Sequence, residues 1–266
     1  MTLRLGSGQA PAIRYAVAVV VAYVFFLIAT LPASHAYGFF KDRVGSLHLY
    51  GIEGTLWSGH AAQADFRQRD LGQLRWELLA RKLLLGRLEL VLQSKNDTNQ
   101  INLTISRALT GRVRIRQLDA AVPLAELPGL ASFGPVKTQG LLNMDLRDVT
   151  VDDGIVTGGS GRMIWRGAGF AAPQPVALGD FEMNFSSDAS GVKGVLRDTG
   201  GPLQAQGTLL LKPDAGYQFT GALAARDPQL AEGLKFLGTP GPNGAVNVTW
   251  SGVYTGKPAA GAKPKP

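Results

Sequence analysis

Three histidines, His35, His48 and His60, are the side chains to weigh first as metal ligands. A metal pair on a helix needs two histidines one turn apart, with a carboxylate or a third ligand beside them. His48 and His60 lack that spacing, and no carboxylate cluster accompanies them. Asp152 with Asp153, and Asp145 with Asp148, are the acidic groupings to weigh as acid–base or calcium pairs. Adjacent acids before a glycine, as at Asp152-Asp153-Gly154, have the composition of a solvated turn. A serine nucleophile would call for a G-x-S-x-G elbow, which does not occur. GGSG at 158–161 has the glycines of a phosphate loop, but no GK[ST] follows and no helical pattern starts there. It reads as a strand connection. Cysteine is absent, so no disulfide, thiolate nucleophile or cysteine-based zinc site can form. The expectation is a chain with no catalytic residue, no cofactor and no metal.

A chain of 266 residues with 45% hydrophobic content can build a core, and 34 glycines among short apolar runs point to many turns and strands. The formal charge of +7 raises nucleic acid as a partner. Its distribution argues against that. Arg4 and Arg14 precede the first apolar run, and Lys257, Lys263 and Lys265 lie in the C-terminal tail. Subtracting these five cations from +7 leaves about +2 for the body, too little for an electrostatic footprint.

Residues 15–33, YAVAVVVAYVFFLIATLPA, contain no charge, and the next charge after Arg14 is Lys41. As a helix they rise about 28 Å, close to the hydrocarbon thickness of a bilayer. Tyr15 and Tyr37 bracket the run at interfacial positions, and the preceding arginines place the N-terminus inside. The expected organisation is a cytoplasmic segment at 1–14, a single transmembrane anchor at 15–33 and an exported domain at 34–256. Residues 257–266 are expected to form a disordered tail. A signal peptide cleaved after Ala36 is the rival reading, but the apolar run exceeds the usual signal core.

Beyond residue 45 the pattern has period 2. Leu88, Leu90 and Leu92 alternate with Glu89 and Gln93; Ile101, Leu103 and Ile105 with Asn102, Thr104 and Ser106; Leu142, Met144 and Leu146 with Asn143, Asp145 and Arg147. The same alternation returns at Phe181, Met183 and Phe185, at Tyr217, Phe219 and Leu223, and at Val246, Val248 and Trp250. Such alternation puts apolar side chains on one face of a sheet. The expected fold is mostly β: an elongated, mainly antiparallel sheet with few short helices. KPDAGY at 212–217 and DDG at 152–154 read as hairpin turns. PLAELPGL at 123–130 has room for one or two helical turns. DPQLAEGLKFLG at 227–238 reads as a helix with Asp227 as N-cap, Pro228 at its first position and Gly238 as its stop. Its Leu230, Leu234 and Leu237 share a face.

Two tryptophans sit between glycines: Trp57 between Gly54 and Gly59, and Trp165 between Gly161 and Gly167. Each is followed 13 or 14 residues later by a Leu-Gly that opens an alternating strand, Leu71-Gly72 leading to Trp76 and Leu178-Gly179 leading to Phe181. This is a weak repeat with a period of about 108 residues, and it predicts repeat-like sheet units over about 45–150 and 151–252. A structural role for the rings is expected, packed across the sheet with the glycines admitting a bend or close approach. An exposed aromatic pocket is the alternative.

Three segments behind one anchor carry a likeness to a known family: GTLWSGHA at 54–61, LRWELLARKLLLGRLEL at 74–90 and LKFLGTPGPNGAVNVTWSG at 234–252. The chain resembles the type II secretion system protein N family from the anchor to about residue 256. The likeness maps to Gly54, Leu56, Trp57 and Gly59; to Leu74, Trp76 and Leu78; and to Phe236, Leu237, Gly238 and Pro240. Trp165 and Gly167 fit the repeat. The resemblance implies a bitopic inner-membrane protein of Gram-negative bacteria with a periplasmic domain. That protein would be a non-enzymatic component of the machine that exports folded proteins across the outer membrane. Its implied partners are other secretion-system proteins, namely the inner-membrane platform or the outer-membrane secretin, with membrane lipid held through the anchor. The alternative function is a lipid-binding or lipid-transfer protein of the envelope, with a lipid ligand on the apolar sheet face. An envelope enzyme is the third class, and nothing in the search for chemistry favours it.

Overall fold

The period-2 runs become strands, and the strands form one sheet. The computed structural model describes residues 9–66, 69–83, 86–108, 111–127, 132–133, 136–172 and 175–254. Two helices come first, α1 (Gln9–Ala29) and α2 (Ala33–Val44). The N-terminal strands are β1 (Leu47–Gly54), β2 (Ser58–Phe66), β3 (Arg69–Leu78), β4 (Arg87–Lys95), β5 (Gln100–Ala108) and β6 (Val113–Pro123). A one-turn helix α3 (Ala80–Leu83) joins β3 to β4. The short β7 (Ser132–Phe133) precedes the long β8 (Val136–Asp152) and β9 (Ile155–Ala172). Then follow β10 (Val176–Asp188), β11 (Gly191–Gly200), β12 (Leu203–Leu211) and β13 (Gly216–Ala225). The helix α4 (Pro228–Leu234), the two-residue β14 (Thr239–Pro240) and β15 (Val246–Val253) end the described chain.

Every described pairing is antiparallel, and each strand pairs with its sequence neighbour save at two places. β7 folds back on β8, so β6 pairs directly with β8; β15 slots between β13 and β14. The antiparallel, mostly β fold expected from alternation is found, as a single sheet in which β6, β8 and β9 run on without a break. Both predicted hairpins are present. Asp153 and Gly154 turn β8 into β9 with φ of 48° and 85°, and Ala215 (φ 64°) turns β12 into β13.

Register carries one apolar row across the sheet. Trp76 pairs Leu92, which pairs Leu103, then Leu118, then Leu146. The row continues through Gly161, Phe185 and Gly194 to Leu209, Phe219 and Trp250. Directly paired residues share a face, so this row crosses ten strand-to-strand steps, about 48 Å at the usual spacing. Its side chains are mostly half-buried rather than sealed.

Two buried clusters lie on that face. One, near β1–β3, holds Ala61, Ala64 and Leu74, with Leu49, Ile52, Trp76 and Leu92 against them. The other joins Phe181, Leu203, Leu223, Val246 and Val248 to Trp165 and Phe219. α2 packs on β1, and α4 packs on β13 through Leu230 and Leu234.

Several expectations are corrected. The apolar helix spans Gln9–Ala29 rather than 15–33, because Pro32 cannot continue it. No helix is expected at residues 34–44, yet they lie in α2. The helix expected to run to Gly238 ends at Leu234, and Leu237 is exposed rather than on the buried face. GGSG lies inside β9 rather than in a connection. At 123–130 the described part is a 3-10 turn, Leu124–Glu126, and 128–130 lie outside the described residues. The tail at 257–266 and the first eight residues also lie outside them. Among the described residues, which exclude several α1 side chains before Ala18, no helix is long and apolar enough to cross a membrane.

Candidate functional site

The two N-terminal motifs meet in space. Gly54 closes β1 at φ 94°, where a side chain would strike the Ser58 carbonyl. The chain then turns through Thr55, Leu56 and Trp57 into β2. Pro32 bridges Thr55, and the Leu56 N–H donates to the Leu31 carbonyl (2.9 Å). The Trp57 indole N–H donates to the Ile28 carbonyl in the last turn of α1 (3.0 Å). Its own carbonyl accepts from the Leu78 N–H, which ties the turn to the end of β3. Trp57 is thus a half-buried strap between helix and sheet and belongs to neither buried cluster.

Trp76 is the ring that packs across the sheet. Its indole lies over Gly59 on β2, where a Cβ would sit 2.5 Å from Cζ2, and its N–H donates to the Thr55 carbonyl (3.3 Å). Leu74 is buried beside it, and Leu78 lies further along the same face. Trp165 repeats this geometry far away. Its ring lies over Gly140 on β8, its N–H donates to the Gln139 carbonyl (2.9 Å), and Phe181 packs against it with centroids 6.0 Å apart. The structural counterpart of Trp165 is therefore Trp76, not Trp57: Trp57 sits in a hairpin turn, Trp165 within a strand. The missed signal was the glycine on the neighbouring strand, Gly59 in one case and Gly140 in the other. Gly167 (φ 58°) turns its N–H to the Asp180 carboxylate (2.7 Å) and lies in open space.

An apolar pocket of about 300 Å³ opens beside this constellation, between α2 and the first strands. Ala33, Ala36, Tyr37 and Phe40 of α2 form one wall, and Leu49, Leu56, Trp76, Leu90 and Leu92 are among those forming the other. Sequence reading missed it because α2 was not anticipated.

The third motif lies at the opposite end of the sheet. Gly238 is required because a Cβ there would collide with the Asn247 carbonyl. Thr239 and Pro240 then pair with Asn247 and Val246, covering only the start of β15. Among the described residues no strand pairs with the outer side of Thr249–Val253. Phe236 is 88% exposed and Trp250 46%, with Leu237 and Val253 also exposed. Trp250 stacks on Phe219 (5.4 Å, 22°), which holds its ring on the apolar face.

Of the residues first weighed for chemistry, His60, Asp145 and Asp152 are held in surface contacts. His60 Nε2 lies 3.5 Å from Glu53. Arg147 holds Asp119 and Asp145, each at 3.0 Å, and Arg112 holds Asp152 at 3.4 Å. The buried Glu89 carboxylate lies between Arg116 (3.3 Å) and Lys82 (3.7 Å). Hydrogen bonds from the Ser190 hydroxyl and N–H hold the Asp188 carboxyl below the ordinary range, in the β10–β11 turn. Among the described residues no group of three or more His, Asp or Glu could hold a metal ion.

Residues 46–249 match the family model described as type II secretion system (T2SS), protein N. The type II secretion system protein N of Aeromonas hydrophila is 29% identical over 240 residues, covering 87% of this chain and 94% of that protein. Its namesake from Vibrio cholerae serotype O1 is 31% identical over 183 residues, 65% of this chain and 70% of the relative. That of Pectobacterium carotovorum subsp. carotovorum is 25% identical over 227 residues, 85% and 89% respectively. No solved structure matches.

Proposed function

The chain belongs to the type II secretion system protein N family, and from that premise we propose that it is a non-enzymatic scaffold of the secretion machine. α1 anchors it in the inner membrane with the N-terminus cytoplasmic. The sheet stands in the periplasm, and the outer side of β15 receives a strand from another secretion-system protein, of the inner-membrane platform or the outer-membrane secretin.

The observation that carries this reading is the β15 edge. An unpaired strand presents a row of N–H and C=O groups that template another strand. Sheet edges are ordinarily blunted, and Pro240 in β14 does so over the first two positions of β15. Beyond them the edge carries exposed Trp250 and Val253. Main-chain bonding would supply affinity there, and the aromatic and apolar side chains would supply selectivity.

Support for the anchor comes from α1. Its described side chains from Tyr15 to Ile28 are apolar and exposed around the helix, Val19, Tyr23 and Phe26 among them. A helix apolar all round suits lipid and not water. Its 21 residues rise about 31 Å. The effect of the anchor is to raise the local concentration of the sheet near membrane-bound partners.

Complementation tests the proposal. In a strain lacking the protein, wild-type chain restores export of folded substrates, and a Thr249→Lys/Ser251→Lys double variant of equal abundance does not. Full export by the double variant would refute the edge as the working surface.

A further inference from the structure

We propose that the apolar pocket under α2 binds one acyl chain of a bilayer phospholipid, which continues from the pocket onto the apolar row of the sheet. This rests on the reading of α1 as a membrane anchor.

The lining has no unmet polar group. Tyr37 donates its hydroxyl proton to the Leu47 carbonyl (2.8 Å) and accepts from the Leu49 N–H (3.4 Å). Trp76 spends its N–H on Thr55. With every other lining side chain aliphatic or phenyl, the pocket offers a ligand only dispersion and the release of water. A polar metabolite would lose hydrogen bonds by entering, whereas a hydrocarbon chain would lose none.

Position selects the source of that hydrocarbon. Leu56 lines the pocket and is bonded to Leu31, two residues beyond α1; its neighbour Trp57 is bonded to α1 itself. The pocket therefore opens where the anchor would leave the bilayer. Phe39 is 78% exposed and Phe40 47%, both on α2 and followed by exposed Lys41. Between lining residues Leu78 and Leu90, the β3–β4 connection carries exposed Leu83 beside exposed Arg81, and the start of β4 adds exposed Arg87 and Leu88. Exposed apolar side chains interleaved with cations are the composition of a membrane-interface surface, and the cations complement a lipid phosphate.

Size sets the stoichiometry. About 300 Å³ is the lower limit of ligand pockets and fits part of a chain, not a whole lipid. The remainder must leave along the face, where Trp76 and Leu92 hand on to Leu103, Leu118 and Leu146. These side chains are half-buried, so the row is open to a chain lying on it.

The test uses the full chain in vesicles of phosphatidylethanolamine and phosphatidylglycerol, doped with a phosphatidylglycerol carrying a diazirine on one acyl chain. After irradiation, adducts are mapped by peptide mass spectrometry. The expected result is adducts on α1 and also on peptides within 33–56 and 74–92. Ala36→Leu, which fills the pocket, and Leu90→Gln, which makes it polar, then remove the second set and leave the α1 adducts, with unchanged circular dichroism. Adducts on α1 alone overturn the proposal while the anchor stands. Adducts on neither overturn both. Pocket adducts that persist at full yield in both variants also overturn it, since the lipid then lies elsewhere on the surface.

Discussion

At the scale of single residues, the glycines are set by what lies above them. Gly59 faces the Trp76 ring and the Glu53 carbonyl, each 2.5 Å from where a Cβ would be. Gly59→Val is expected to lower stability by about 1–3 kcal/mol, the usual cost of overpacking, read as a shift in urea midpoint. Trp57→Phe keeps an aromatic ring, though a smaller one, and removes the N–H that reaches Ile28. A loss of about 0.5–1.5 kcal/mol is expected, since one hydrogen bond is lost and one carbonyl is left to solvent. An unchanged midpoint would show that Trp57 does not tie helix to sheet. The sequence made the aromatic–glycine pairing legible in kind but not in partner. Trp57 and Trp165 look alike in the chain because both are flanked by glycines, yet Gly59 serves Trp76 across a strand pair. Cross-strand neighbours depend on register, and glycine spacing along one strand does not report register.

At the scale of elements, alternation was the readable signal. Leu88, Leu90 and Leu92, and Ile101, Leu103 and Ile105, lie in strands as their spacing predicts, because one face of each strand is apolar. α2 was not readable. Its sequence, ASHAYGFFKDRV, has Gly38 in its middle, its pocket-lining stripe of Ala33, Ala36, Tyr37 and Phe40 includes two small alanines, and it is held by Tyr37 reaching β1. Tertiary contacts, not propensity, make it a helix. α4 was readable because Asp227 and Pro228 mark its start, and the Asp227 carboxylate accepts the Gln229 N–H (2.9 Å). Asp227→Ala is expected to cost about 1 kcal/mol, measurable by chemical denaturation. An Asp227→Asn variant should stay near wild type, since asparagine caps equally well.

At the scale of the whole molecule, one sheet lies between two distinct ends. The first end holds α1, α2, the Trp57 strap and an apolar pocket; the other holds the side of β15 that no described strand pairs beyond Asn247, with Phe236, Leu237 and Trp250. The apolar row that joins them follows from direct cross-strand pairing carried from β3 to β15, the register shifts of β5–β6, β8–β9, β9–β10 and β10–β11 falling between other residues of those strands. That continuity was not visible in the sequence, where the repeat implied two sheet units. On the proposed function, the membrane contact and the protein contact would lie at opposite ends of the sheet. The most direct test of that function is in-cell photo-crosslinking from a benzoyl-phenylalanine placed at Thr249, with Gln218 on the interior strand β13 as control. The account predicts an adduct to a platform or secretin protein from position 249 and none from 218. Equal labelling from both positions, or no protein adduct from 249 in cells that are actively secreting, would contradict it.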